Sequence, residues 1–106
     1  MAVVAKYALQ TGKDYSSIQV FDGSSKLLAQ FWFRFNGTLS SPVKVPATGT
    51  WPATAYLRVD VTESHFQRIL DLLRNEGPTG LDVDQATPSI NWTLGTNFEP
   101  IGEGEL

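Results

Sequence analysis

The stretch Phe31-Trp32-Phe33-Arg34-Phe35 places four aromatic rings and one guanidinium in five consecutive residues. In a β-strand, successive side chains point to opposite faces of the sheet. A strand here would therefore place the three phenylalanines on one apolar face, and Trp32 and Arg34 together on the other. The first face is typical of a core, whereas the second is half apolar and half cationic. We interpret the second face as the best candidate for contact with another molecule.

A β-hairpin accounts for the residues just before this stretch. Asp22-Gly23-Ser24-Ser25 is a turn signal between two runs that we predict as strands, over 16–21 and 26–35. Pairing Val20 with Leu27 would keep the alternating apolar residues of both strands on the face of the three phenylalanines, and this apolar set should fix the register. The opposite face would then carry a mixed set of side chains: Tyr15, Ser17, Gln19, Phe21, Lys26, Leu28, Gln30, Trp32 and Arg34.

The rest of the chain predicts further strands and a single helix. Thr62 is a good helix N-cap, and apolar residues recur at helical spacing after it. The predicted fold class is α+β: one antiparallel sheet of five to six strands with a single α-helix, over about 62–76, packed on one face. The other strands are predicted from β-branched and alternating apolar residues, over 3–9, 53–61, 80–84 and 90–94.

Two segments are predicted to lack regular structure. Residues 36–52 hold two glycines and three prolines, which indicates a long loop. Residues 102–106 are expected to form a loose acidic tail. The charge is unevenly spread, because residues 1–75 carry all eight basic side chains and five acidic ones, whereas six acids and no base follow from Glu76 onward. The tail could cover the basic body or a neighbouring subunit, or serve only solubility.

Length and composition bound the class of protein. A chain of 106 residues is expected to be a single domain over 1–106. The absence of cysteine excludes a disulfide framework and thiolate metal sites and favours a reducing compartment, so we predict a cytoplasmic protein. No leader or membrane-spanning apolar run is visible, so no membrane partner is expected. A net charge of −3 argues against binding to duplex nucleic acid.

Residues that could support catalysis or a metal are sparse. His65 is the only histidine, and we interpret it as a boundary residue of the helix rather than a catalyst. Asp82 and Asp84 share a strand face and could meet Glu99, but the spaced acidic loop of a calcium site is absent. No serine has the glycine-flanked setting of an esterase nucleophile. We therefore predict neither a metal nor a cofactor, and a small enzyme using His65 and carboxylates is the least favoured alternative.

Aromatic and arginine residues recur together in a pattern that indicates binding. Trp32 and Arg34 lie two residues apart on one strand, and Tyr56 and Arg58 repeat this spacing on another. A flat ring can stack on a base, while an arginine fork can bind a phosphate with two hydrogen bonds. Trp51, at the end of the long loop, is either a plug at the edge of the core or a fifth member of this ligand-binding set.

These patterns leave several functions open. We favour a non-enzymatic binding protein that sequesters a small anionic, aromatic, nucleotide-like ligand between this residue set and the 36–52 loop. The alternative is an inhibitor or adaptor that binds a protein partner through the same face. One helix can cover only one face of the sheet, so we also expect a homo-oligomer, most simply a dimer through the bare face or an edge strand. A further alternative is a plain surface, on which the arginine stems cover the rings and their heads pair with Asp60 or the acidic tail.

Overall fold

The computed structural model describes residues 2–75, 79–85 and 90–96, and within these ranges it contains one α-helix and two β-sheets. The predicted α+β class is confirmed. The bounds of the elements are β1 Ala2–Val4, β2 Lys6–Thr11, β3 Tyr15–Phe21, β4 Leu27–Arg34, β5 Val43–Val45, β6 Tyr56–Asp60, α1 Glu63–Asn75, β7 Thr79–Asp84 and β8 Asn91–Thr96.

The prediction of a single antiparallel sheet is wrong in two respects. There is a five-stranded sheet in the order β2-β3-β4-β6-β5 and a separate three-stranded sheet in the order β1-β7-β8. In addition, β4 and β6 pair in parallel, while the other pairs are antiparallel. The predicted strand over 3–9 divides at Ala5, whose N–H donates to the Phe21 carbonyl at 2.9 Å, although Lys6 is the residue opposite Phe21. The residues before Ala5 pair instead with β7 in the three-stranded sheet.

The hairpin register also differs from the prediction. Asp22 donates its N–H to the Lys26 carbonyl at 3.0 Å, and its Oδ1 accepts from the N–H groups of Ser24 and Lys26, so the turn is one residue longer than expected. The register shifts again between Val20 and Phe21, which pairs Val20 with Ala29. As a result Leu28, predicted on the open face, is 1% exposed.

The apolar core lies on one face of the five-stranded sheet, here called the inner face. Helix α1 and the three-stranded sheet cover it, so the second sheet supplies apolar cover that one helix could not. Phe31 is fully buried, whereas Phe33 is only partly buried. Phe35 was predicted in the core but is 48% exposed, because it lies beyond the end of β4. The core residues are Ile18, Val20, Leu28, Ala29, Phe31, Trp51, Leu57, Val59, Val61, Phe66, Ile69, Leu70, Leu81 and Val83.

The helix and the long loop largely follow the sequence. Helix α1 begins after Thr62, whose Oγ1 accepts from the His65 N–H at 3.3 Å as an N-cap does. The predicted loop over 36–52 contains one short strand, β5, which pairs with β6 at the edge of the sheet. The predicted tail over 102–106 lies outside the described residues.

Candidate functional site

The second face of the five-stranded sheet, here called the outer face, carries the aromatic and arginine residues. Residues directly opposite each other in neighbouring strands share a face. Trp32 of β4 is opposite Ser17 of β3 and Asp60 of β6. Gln30 is opposite Arg58 of β6. The parallel β4–β6 pairing therefore brings residues from distant parts of the chain beside Trp32.

Trp32 is the centre of the site, and its ring is held in a defined orientation. The Tyr15 ring lies 5.0 Å from it, centroid to centroid, at an interplanar angle of 38°. The indole Nε1 donates a hydrogen bond to Gln30 Oε1 at 3.1 Å. The indole is only partly buried and does not lie beneath the helix. It therefore remains accessible while its orientation is constrained on two sides.

Two guanidinium groups lie beside this one ring. The central carbon of Arg34 is 5.5 Å from the Trp32 ring centroid, and that of Arg58 is 5.1 Å from it. Both distances fall within the range of a cation–π contact. Among residues 2–75, 79–85 and 90–96, no carboxylate forms a salt bridge with either guanidinium. Two like charges thus converge on one indole, and the nearby carboxylates of Asp14 and Asp60 form no salt bridge with either of them.

Two hollows adjoin this cluster and share Arg34 as a wall. The larger, of about 470 Å³, has an aromatic side, and the smaller, of about 230 Å³, is more polar. Ligand pockets typically enclose about 300–1,000 Å³, so the two together offer room for a small molecule. The larger hollow is lined by Asp14, Tyr15, Trp32, Arg34, Asn36 and Gly37, and the smaller by Arg34, Ser40, Ser41, Val43, Arg58 and Asp60.

Two glycines give the site residues their space. A Cβ on Gly37 would lie 2.8 Å from Arg34 Cβ and 3.1 Å from its Cδ. A Cβ on Gly12 would lie 2.7 Å from the Cε1 atom of Tyr15. Both glycines follow the end of a strand. The Tyr15 side chain can lie across the backbone at Gly12, and the Arg34 side chain can lie across it at Gly37. The placement of Arg34 and Tyr15 is therefore encoded partly in residues that have no side chain.

Asp60 ties the loop after β4 to the site. Its Oδ2 accepts a hydrogen bond from the Ser40 N–H at 3.1 Å. This contact holds Ser40 and Ser41 beside the two arginines, so hydroxyl donors and cations line the same hollow. The carboxylate adds an acceptor there, which would favour a ligand that carries a hydrogen-bond donor as well as an anionic group.

Three of the five residues predicted from the sequence come together, and two do not. Trp32, Arg34 and Arg58 form the cluster. Tyr56 shares the outer face but lines neither hollow. Trp51 is 6% exposed and belongs to the core, with its Nε1 donating to the Leu28 carbonyl at 2.9 Å.

The sequence placed the 36–52 loop at the ligand site but did not single out Tyr15, Ser40, Ser41 or Asp60 as ligand-binding residues. Tyr15 was placed on the correct face, but the predicted register did not put it opposite Arg34, as the structure does. Ser40, Ser41 and Asp60 reach the site through the β4–β6 pairing and the loop between these strands. The spacing shared by Trp32–Arg34 and Tyr56–Arg58 indicated a common ligand-binding set, but it did not specify that the two strands pair in parallel.

The other residues considered for catalysis do not join this cluster. His65 is exposed and stacks on Trp92, with ring centroids 5.3 Å apart at 21°. Asp82 and Asp84 lie on β7 in the other sheet. Among the described residues, no group of three or more histidine, aspartate or glutamate side chains is arranged to hold a metal ion. Glu99 lies outside the described residues.

Comparisons with known proteins leave the site as the main guide to function. No family model, curated protein or solved structure matched the chain significantly. Within the described ranges, no helix has the length and apolar character that crossing a bilayer requires. The inference about function therefore starts from the outer-face cluster of Tyr15, Trp32, Arg34 and Arg58.

Proposed function

We propose that this protein is a non-enzymatic, self-associating binding protein that captures a small anionic ligand with an aromatic ring, such as a nucleotide. The observation that carries the proposal is the convergence of Arg34 and Arg58 on the accessible Trp32 ring. In the unliganded protein the two guanidiniums repel each other, and among the described residues Asp14 and Asp60 line the adjoining hollows without forming a salt bridge to either. An anionic ligand would relieve this repulsion, and part of its binding energy would come from that relief.

The larger hollow suits the ring of the ligand. Tyr15 and Trp32 provide two aromatic surfaces, and the Gln30 hydrogen bond restrains the indole before any ligand arrives. A nucleobase stacked on an aromatic side chain contributes about 1–3 kcal/mol. Because the indole is already oriented, little side-chain freedom would be lost on binding. The ring contact alone would support weak binding, and the anionic group is needed for useful affinity.

The smaller hollow suits the anionic group. Arg34 and Arg58 supply the charge, and the hydroxyls of Ser40 and Ser41 supply further donors. Hydrogen bonds between a charged donor and a phosphate are worth about 1.5–3 kcal/mol each. Asp60 would repel a phosphate placed beside it. We therefore place the anion towards the arginines, with Asp60 accepting from a ligand hydroxyl such as that of a sugar.

A protein partner is the second candidate, and one observation favours it. The segment after β4 exposes three apolar side chains, those of Phe35 (48%), Leu39 (59%) and Val43 (46%). Exposed apolar residues around a cationic cluster are typical of a protein-binding surface. An inhibitor or adaptor would use the same arginines to bind an acidic residue of its partner.

The test is a thermal-shift panel that separates the ring from the charge. It compares nucleoside monophosphates, the matching nucleosides and inorganic phosphate. Ligand at 100 times its Kd should stabilise the fold by about 2.7 kcal/mol. We expect nucleotides to stabilise most, and we expect Arg34→Gln and Arg58→Gln to remove most of the shift. Arg68→Gln, on the exposed surface of α1, is the matched control and should leave the shift intact.

Two outcomes would count against nucleotide capture. No shift with any nucleotide would favour the protein-partner alternative. A shift that survives both outer-face arginine substitutions would place the ligand elsewhere. Two-dimensional NMR of the three indole N–H groups gives a second measurement, because only the Trp32 signal should move on binding.

A further inference from the structure

We propose that two copies of this chain join along the free edge of β2, in an antiparallel register with Leu9 on the two-fold axis. The proposal deepens the self-association in the proposed function and rests on it, but it is independent of the ligand. Strand β2 lies at one end of the five-stranded sheet. Among the described residues, no other segment pairs with its outer edge.

The backbone of β2 has a defined set of outward-facing groups. The Gly12 N–H donates to the Tyr15 carbonyl at 2.8 Å, which continues the β2–β3 register by one pair. In an antiparallel ladder, hydrogen-bonded pairs alternate with non-hydrogen-bonded pairs. Residues of even number in β2 therefore face β3, and Tyr7, Leu9 and Thr11 direct their N–H and carbonyl groups away from the sheet. These three residues offer six groups to another strand.

The edge lacks the features that normally prevent strands from pairing. It has six residues in continuous register with β3, contains no proline, and carries one charge, Lys6, whose Nζ contacts Ser25 Oγ of the same chain. The opposite edge, β5, has only three residues and lies between Pro42 and Pro46. Short edge strands and nearby prolines are common protections against edge pairing. Because β2 lacks both protections, its edge is open to pairing with another strand.

Side chains favour a second copy of the same strand as the partner. Tyr7 is 36% exposed and Leu9 is 48% exposed, and both lie on the inner-face side of the sheet. With Leu9 opposite Leu9 of the partner subunit, Tyr7 is opposite the partner's Thr11. This register satisfies all six outward groups of each strand by hydrogen bonds and buries the two leucines against each other. The two Lys6 side chains then lie far apart.

The arrangement has a consequence for the ligand sites. A two-fold axis through antiparallel edge strands runs perpendicular to the sheet, so the dimer has one continuous sheet of ten strands. Both outer faces lie on the same side of it. The two Trp32 clusters are then presented to one surface, which suits a ligand or partner with two anionic groups.

Site-specific cross-linking tests the register directly, since the chain has no cysteine of its own. In the proposed dimer, residue 9 and its symmetry mate have Cα atoms about 5.5 Å apart, within the range that a disulfide spans. Residue 6 lies about 20 Å from its mate, from the rise per residue of a strand. Under mild oxidation, Leu9→Cys should form a covalent dimer rapidly, and Lys6→Cys should not. Equal cross-linking of the two variants would overturn the register.

Light scattering on the unmodified chain tests the association itself. We expect a mass of twice 11.7 kDa. Leu9→Lys should raise the dimer dissociation constant by at least about tenfold, because it places two cations against each other at the axis. Leu39→Lys, at an exposed leucine remote from β2, should leave it unchanged.

A monomer at every concentration, or a dimer that Leu9→Lys leaves intact, would overturn the proposal. Ligand capture is scored separately: if Leu9→Lys is monomeric and still binds nucleotide, the dimer and the ligand site are independent. If Arg58→Gln no longer binds nucleotide but remains a dimer, that result would also show that the dimer does not depend on the ligand site.

Discussion

Replacing Trp51 by phenylalanine should destabilise the fold by about 2–3 kcal/mol and leave ligand capture unchanged. The reason is that Trp51 is a core residue, 6% exposed, whose indole Nε1 donates to the Leu28 carbonyl at 2.9 Å. Two further hydrogen bonds join Gln85 to the Trp51 backbone, each at 2.9 Å. These two bonds should survive the substitution, because they involve main-chain atoms of residue 51.

The magnitude has two parts. Loss of the indole hydrogen bond costs about 1–2 kcal/mol here, because it leaves the buried Leu28 carbonyl without this donor. Leu28 is 1% exposed, so water cannot easily replace the indole N–H there. The smaller phenyl ring also leaves unfilled volume, which adds about 1 kcal/mol for a change of this size. Together these terms lead to the estimate above.

Urea denaturation measures the effect, and Trp32→Phe is the matched control. The indole N–H of Trp32 bonds to the Gln30 side chain at a partly exposed site, so water can take its place. We expect Trp32→Phe to cost less than about 1 kcal/mol in stability. The ligand experiment should reverse the order, with Trp32→Phe weakening nucleotide binding and Trp51→Phe leaving it unaffected.

Trp51→Phe should therefore lose mainly stability, and Trp32→Phe should lose mainly nucleotide binding. Equal stability losses at the two positions would mean that burial and the Leu28 contact do not distinguish the two indoles. Weaker nucleotide binding in Trp51→Phe, at a temperature where the variant is fully folded, would return Trp51 to the ligand site. An unchanged denaturant slope m should accompany the shift in midpoint, since the surface exposed on unfolding hardly changes.

Two other substitutions test local features of the structure. Ser17 is fully buried, and its Oγ finds no hydrogen-bond partner among the described residues. Ser17→Ala should therefore leave the free energy of unfolding unchanged or raise it by about 1 kcal/mol. A decrease of more than about 1 kcal/mol in urea denaturation would show that the hydroxyl has a partner. Gly37→Ala should displace the Arg34 stem and weaken nucleotide binding about tenfold, which corresponds to a loss of about 1.4 kcal/mol in binding free energy. Gly23→Ala is the control, because a Cβ there meets nothing within 4 Å, and it should not alter binding in the same titration.

Local patterns in the chain predicted the helix and most of the strands, although not β5 or the division of the first strand into β1 and β2. The alternation of Phe31 and Phe33 with Trp32 and Arg34 predicted a strand and its two faces, and the N-cap at Thr62 predicted where the helix begins. These features depend on side-chain periodicity and on hydrogen bonds between residues close in sequence. The mixed character of the outer face could be inferred in the same way.

The pairing of distant strands could not be predicted from these patterns. The composition of 53–61 does not indicate that this segment lies parallel to β4. That pairing nevertheless brings Arg58 and Asp60 beside Trp32. The division of the first predicted strand between two sheets at Ala5 is likewise a feature of long-range packing. The hairpin register was missed because the turn and a bulge each shift the pairing, and the two shifts together keep the same apolar face inward.

The sequence by itself determined which side chains share a strand face and therefore that an indole and a guanidinium lie together on an accessible surface. Only the tertiary structure decided that a second guanidinium reaches the same indole and that Trp51 turns into the core instead. The physical reason is range: alternation and capping act over a few neighbouring residues, whereas strand order depends on how the whole apolar surface is buried.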